Sequence, residues 1–211
     1  MKKIILIANG SKFDLNSFIK LQNIGYSDVA CADGGANLAY DYNIIPKFII
    51  GDLDSIKDEV FDFFKSKSKI IKYKRQSDTD VEKSLKYLQK AGYNDIVILS
   101  ATGDRLDHTI GILSIIIKFS NDIKISLVHQ LNILYVLKGE NRLTVKKGET
   151  ISLFAFDNQT KITTFGLKYP IKNETLPFGV RESISNVATS NKINISVENG
   201  VVFFIREIKN L

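Results

Sequence analysis

Residues 48–55 read Phe48-Ile49-Ile50-Gly51-Asp52-Leu53-Asp54-Ser55, an apolar run that breaks on a glycine and then on two carboxylates two residues apart. A short β-branched or aromatic run ending in a turn signal reads as a buried strand, with a polar loop at its carboxyl end. The same pattern recurs on both sides, with strands expected at Ile4–Ala8, Val29–Ala32, Phe48–Ile50, Ile70–Tyr73, Ile96–Leu99 and Ile123–Val128. Helix-length stretches lie between them, near Asn16–Asn23, Ala36–Tyr42, Lys57–Lys65, Asp80–Lys90 and Asp107–Phe119. Val81, Leu85 and Leu88 recur at helical spacing, as do Ile110, Leu113 and Ile117. Alternating β and α units predict an α/β fold, a mostly parallel Rossmann-like sheet with helices on both faces.

After about Leu131 the helical period stops. Leu134–Leu137, Arg142–Val145, Ile151–Phe156, Lys161–Phe165, Ser183–Val187, Ile193–Val197 and Val201–Ile205 are strand-like. Asn199-Gly200 between two apolar runs predicts a two-residue hairpin. The expected organisation is an α/β domain over residues 1–130 and an all-β sandwich or barrel over 131–211.

Composition limits the function classes. The chain has 211 residues, 44% hydrophobic and 25% charged, which fits a globular protein and excludes a disordered or fibrous one. Its one cysteine, Cys31, can close no internal disulfide and makes no zinc site, so a reducing compartment is expected. The apolar run after Met1-Lys2-Lys3 is five residues, Ile4–Ala8, against the roughly 7–15 of a signal peptide. A cytoplasmic protein with no membrane partner is expected.

The net charge, 29 − 23 = +6, suggests nucleic acid only until it is mapped. Residues 1–120 carry 17 − 15 = +2 and residues 121–211 carry 12 − 8 = +4, so neither part is a basic arm. The densest basic run, Lys65 to Arg75, reads as a solvated helix end and strand edge, or as an anion contact. Aspartate is more telling, because 13 of the 15 lie between Asp14 and Asp107.

In an open parallel sheet, ligands bind beyond the carboxyl ends of the strands. The polar motifs fall at that rim: Asn9-Gly10, Asp33-Gly34-Gly35-Ala36-Asn37, Gly51–Ser55, Gln76–Asp80, Thr102–His108 and His129–Asn132. Asp52 and Asp54 repel each other unless a cation or protons intervene, and hard oxygen donors suit Mg²⁺. Asp78 and Asp80 offer a second pair; the competing reading is helix capping by Asp54, Ser55 or Asp78. Arg105 and His108 beside Asp107 can meet phosphate oxygens, or Asp107 can cap its helix with Arg105 as partner. No Gly-x-x-x-x-Gly-Lys-[Ser/Thr], Gly-x-Gly-x-x-Gly or Gly-x-Ser-x-Gly motif is present. The rim reads as a metal–nucleotide phosphate site.

The ordered set Asp33–Asn37, Gly51–Ser55, Thr79-Asp80 and Gly103-Asp104-Arg105-Leu106-Asp107-His108 resembles thiamine pyrophosphokinase, also called thiamine diphosphokinase. The resemblance extends through Gly166-Leu167-Lys168-Tyr169-Pro170 and Ser183-Ile184-Ser185-Asn186 in the β part. It implies transfer of a pyrophosphoryl group from ATP to the hydroxyl of thiamine, giving thiamine diphosphate and AMP. It also implies Mg²⁺, and a homodimer with thiamine near the interface. On this resemblance residues 1–130 bind ATP and catalyse, and residues 131–211 bind thiamine. Asp52, Asp54 and Asp80 would hold Mg²⁺ and the phosphates, with Arg105 and Asp107 completing the catalytic pocket. Asn9, Asp33, Gly34, Gly35, His108 and Asn132 would contact the nucleotide, and Ser185 and Asn186 the thiamine. The acid that relatives often carry two residues before Thr79 is Ser77 here, and the chain has no tryptophan to stack on thiamine. The alternatives are a haloacid dehalogenase-like phosphohydrolase, which places its Asp-x-Asp after the first strand, and a non-catalytic nucleotide-sensing module.

Overall fold

In the computed structural model, which describes every residue except Arg75, Gln76, Asp104 and Leu211, the chain divides into Met1–Gln130 and Leu131–Leu211. Readings that fall on Arg75, Gln76 or Asp104 lie outside the described residues.

The first unit is built on six parallel strands. They are β1 (Lys3–Ile7), β2 (Asp28–Ala32), β3 (Phe48–Gly51), β4 (Lys69–Lys72), β5 (Asp95–Leu99) and β6 (Lys124–His129). Their order across the sheet is β6-β5-β1-β2-β3-β4, every neighbouring pair parallel. Ile4, Ile5, Leu6 and Ile7 are fully buried because β1 sits centrally with helices over both faces, which is why it reads as a continuous apolar run. The connections carry α1 (Leu15–Asn23), α2 (Gly35–Asp41), α3 (Asp58–Phe64), α4 (Asp80–Lys90) and α5 (Leu106–Phe119). Strand order reverses between β1 and β5, the topological switch point at whose carboxyl edge an open α/β sheet binds its ligands.

Part of the basic run after α3 is spent locally. Lys65 pairs with Asp62, and Lys67 lies over the Phe63 ring. Cys31 is buried inside β2, and burial pushes its thiol pKa up.

The second unit is antiparallel: β7 (Asn132–Thr144), β8 (Thr150–Phe154), β9 (Lys161–Phe165), β10 (Glu174–Thr175), β11 (Ser183–Val187) and β12 (Lys192–Glu207). The expected hairpin at Asn199-Gly200 is corrected here, since β12 runs through it without reversing. Asn199 takes the left-handed conformation that its residue type allows (φ 60°), but the result is a bulge. Four residues of β12 stand between its pairs Val197–Gly139 and Val202–Leu137, against one residue of β7. Before the bulge β12 pairs with β9, and after it with β8, so the strand changes partner there. The two strands expected at Leu134–Leu137 and Arg142–Val145 are likewise one, β7, bent at Gly139 (φ 58°). Ile162, Ile195 and Val197 from one arm share a core with Ile151, Leu153, Val202 and Phe204 from the other. A Cβ at Gly200 would strike the Thr160 hydroxyl. We therefore expect Gly200→Val to destabilise the protein by about 1–3 kcal/mol, the usual cost of overpacking, read from the urea midpoint.

Candidate active site

The site lies in the first unit, at the carboxyl rim of the parallel sheet. A cavity of about 410 Å³, of the size that takes a small-molecule cofactor, is lined from five of the six rim loops and the start of α5. Asn9 and Gly10 come from the loop after β1, Asp33 from β2, Ser55 from β3, and Thr79 and Asp80 from the approach to α4. Thr102, Arg105, Asp107 and His108 come from the loop after β5 and the first turn of α5. The rim is tied together by Gly10 N–H donating to Ser100 O at 2.6 Å and by a 2.6 Å hydrogen bond between Thr102 Oγ1 and His129 Nδ1.

Gly34 and Gly35 are packing requirements. A Cβ on Gly35 would strike the Ile7 carbonyl, and one on Gly34 would strike the Asn9 carboxamide, so α2 could not begin this close to the end of β1. Asp33, just before them, has φ 44° and is 3% exposed.

Three carboxylates converge at the cavity, two of them, Asp33 and Asp80, on its lining. Oxygens of Asp33, Asp52 and Asp80 lie within 4.8 Å of one another. Lys83, one turn along α4 and 4% exposed, donates to Asp52 Oδ2 at 3.1 Å and to Asp80 Oδ1 at 2.8 Å. The Lys83 hydrogen bond holds Asp52 below the usual carboxylate range. Burial pulls the Lys83 ammonium toward neutrality, but its bonds to Asp80 and Asp52 outweigh that and raise its pKa. Asp33 moves the other way: burial, reinforced by the negative charges of Asp80 and Asp52, lifts its pKa, and the Ser55 contact only partly opposes this. Asp33 Oδ1 and Asp52 Oδ1 are buried with no hydrogen-bond partner among the described residues. Buried anionic oxygens without donors are costly, and a hard divalent cation is the partner such a set fits.

The convergent set differs from the expected Asp52, Asp54 and Asp80. Leu53 has φ 70°, which ends the extended backbone after Asp52. Asp54 is exposed outside the cluster, with the Ser55 hydroxyl on its Oδ1, and Asp33 stands in the cluster instead. Asp78 is bonded by Lys86 at 2.9 Å. Arg105 and Asp107 form a two-point pair, 3.2 Å from Nε to Oδ1 and 2.6 Å from Nη2 to Oδ2, which holds the Asp107 carboxyl below its ordinary pKa. His108 is exposed and faces the cavity.

In the second unit, Asn132 opens β7. Ser185 is exposed at a register shift of β11, with φ 56°. Asn186 is 1% exposed and internally committed. Its Oδ1 accepts from Tyr169 N and Val187 N, and its Nδ2 donates to Tyr169 O and Ser183 Oγ. All four hydrogen-bonding positions of the carboxamide are used, so Asn186 positions the Tyr169 backbone and presents nothing to a ligand.

Lys83 escaped the sequence reading. The available signal was the Asp80-x-x-Lys83 spacing, which places the two on one helix face.

A family model described as thiamin pyrophosphokinase, catalytic domain, matches residues 25–127, and one described as thiamin pyrophosphokinase, vitamin B1 binding domain, matches residues 135–202. The chain belongs to the thiamin pyrophosphokinase family. Its activity is that of a thiamine diphosphokinase. The thiamine pyrophosphokinase of Bacillus subtilis is 29% identical over 98% of this chain and 99% of its own. Thiamine pyrophosphokinase 1 of Arabidopsis thaliana is 28% identical over 83% and 76%. Among solved structures, the thiamin pyrophosphokinase of Candida albicans superposes with a TM-score of 0.85 at 23% identity, covering 98% of this chain and 89% of that one. That likeness bears on the fold, an N-terminal parallel α/β region followed by an antiparallel β region.

The glycine before Asp52 has a steric reason, since a Cβ on Gly51 would stand 2.8 Å from Asp33 Cβ. Gly51→Ala is expected to displace Asp33 and weaken divalent-ion binding several-fold, measured by calorimetric titration.

Proposed function

We propose that the first unit binds ATP at the rim cavity with Mg²⁺ at Asp33, Asp52 and Asp80, and passes the β,γ-pyrophosphoryl group to the thiamine hydroxyl. The carrying observation is the convergence of three carboxylates, two with orphaned buried oxygens, beside a cavity lined by the Arg105–Asp107 pair. Mg²⁺ supplies positive charge against the phosphate oxygens of the transferring group. Arg105 meets the phosphates while Asp107 aims its guanidinium. Asn9, Gly34 and Gly35 border the nucleotide, with His108 on the cavity lining.

Attack by the thiamine oxygen on the β-phosphorus breaks its bond to the oxygen bridging to the α-phosphorus, and that oxygen leaves as AMP. A loose phosphoryl-transfer transition state asks more of positioning and charge than of a base. Of the acids near the rim, Asp80 is engaged by Lys83, whereas Asp54 is exposed and takes the hydroxyl proton. Phosphorus NMR of a reaction with thiamine should show AMP and thiamine diphosphate in equal amounts. ADP as the co-product would put the attack on the γ-phosphorus and overturn this reading.

Thiamine is held by the second unit, where Ser185 offers a hydroxyl and Tyr169 and Phe178 offer exposed rings. The family resemblance implies a homodimer, and Phe165, Val180 and Ile184 are exposed apolar residues of this unit. Light scattering should then give twice the 23.7 kDa chain mass, and a monomer would contradict it. No helix among the described residues is long and apolar enough to cross a membrane, and a cytoplasmic location fits a substrate pair of soluble metabolites.

The raised Asp33 pKa has a stability consequence. An acid with a higher pKa folded than unfolded costs stability once ionised; the loss begins as pH rises past the ordinary aspartate value and is complete above the raised one. Asp33→Asn should therefore melt higher than the parent at pH 7 without divalent ions, with the gap closing as pH falls through the raised value toward the ordinary aspartate value, while its turnover collapses.

A further inference from the structure

The ammonium of Lys83 is the one cationic group, among the described residues, that touches the carboxylate cluster. It takes one oxygen each of Asp52 and Asp80, and leaves Asp52 Oδ1 and Asp33 Oδ1 uncommitted. Nothing about a solvent-facing helix position requires a lysine here, because the side chain is 4% exposed and its charge is spent inside the site. A buried lysine is retained when it is paired, and this one is paired to the groups that would face a metal.

We propose that Lys83 is a fixed counter-cation of the metal cradle, a positioning residue that keeps Asp52 and Asp80 together in the free protein and weakens their hold on a divalent ion until nucleotide phosphates arrive. The inference rests on the divalent-ion reading of the cluster. Two effects of opposite sign follow from one ammonium. It relieves repulsion between neighbouring carboxylates, which keeps their oxygens in place. It also subtracts one positive charge's worth of attraction from any ion bound beside it, because like charges a few ångströms apart repel strongly in a partly buried site. A metal that binds weakly alone and firmly with phosphate oxygens is loaded as a metal–nucleotide complex, so the cradle is not blocked by a free ion.

The test is Mn²⁺ binding to the nucleotide-free protein, by paramagnetic resonance or calorimetry, for the parent, Lys83→Met and Lys83→Arg. Lys83→Met should bind Mn²⁺ at least tenfold more tightly than the parent, and Lys83→Arg, which keeps the charge, within about threefold of it. A lysine needed only for packing would predict weaker binding in Lys83→Met. Equal or weaker binding in a Lys83→Met protein with normal far-ultraviolet dichroism overturns the inference. If that shared affinity is lost in Asp52→Asn, the metal site survives without Lys83's role. No Mn²⁺ binding by any form overturns the metal reading and this inference with it. Should Lys83→Met not fold, the lysine ammonium resonances of the ¹⁵N-labelled parent decide. A Lys83 signal that moves on saturation with Mg²⁺ supports the inference, and an unmoved signal overturns it.

Discussion

Asp52→Asn is expected to lower thiamine-dependent AMP formation by about 10³-fold, while the melting temperature shifts by only a few degrees. Asparagine matches the aspartate in volume and its carbonyl oxygen can still accept from Lys83, so packing around β3 is preserved. What disappears is a charge held in the ionised form by Lys83 and an oxygen, Oδ1, that has no partner in the protein. Removing one preorganised electrostatic contact from a transition state costs about 10²–10³ in rate. On the proposed function Asp52 should sit at the upper end of that range, because it would act on the ion and through it on the phosphates. Steady-state kinetics and differential scanning calorimetry on the same preparation check both halves. A large melting loss with normal turnover would make Asp52 a structural residue.

The largest stability effect is expected far from the rim, at the Glu149–Arg206 pair of the second unit. Arg206 Nε donates to Glu149 Oε1 at 2.6 Å and Nη2 to Oε2 at 2.9 Å, with side chains 8% and 1% exposed. Arg206 Nη1 also reaches the Thr144 carbonyl, and Glu149 Oε2 accepts from Lys146 N. The pair thus joins the end of β7 and the turn before β8 to the end of β12. Glu149→Ala takes both carboxylate contacts from a buried guanidinium, and breaking a buried pair in this way costs about 3–5 kcal/mol. The double change Glu149→Leu with Arg206→Met should be markedly less destabilising than either single change, because no charge is stranded. Urea midpoints of the three variants give the answer. Additive losses would show that the pair is not coupled.

The first unit was legible because its strands and helices announce themselves by period, and because a parallel sheet sends every βα loop to one edge. Knowing that Phe48–Gly51 and Ile4–Ile7 are strands is enough to bring Asp52 and Asn9 to the same rim. Which carboxylates meet was less legible. Asp52 and Asp54 would share a side only on extended backbone, and Leu53 leaves that conformation. Asp33 reads locally as part of an Asp-Gly turn, and only the structure brings it beside Asp52 and Asp80. Lys83 reads as one polar residue among several on α4, because spacing along a helix does not reveal what is packed against it. At Asn199-Gly200 the hairpin expectation failed because left-handed backbone at Asn199 serves a bulge as well as a turn. Deciding between them requires the partner strands, β9 and β8, whose pairing is long-range. Glu149 and Arg206 stand 57 positions apart, and nothing local joins them.

The most direct test of pyrophosphoryl transfer at this rim is AMP production from ATP and Mg²⁺, with thiamine present and with it omitted. AMP should form at a steady rate with thiamine and stay at background without it. AMP that accumulates equally in both would contradict transfer to thiamine and return the site to a hydrolase.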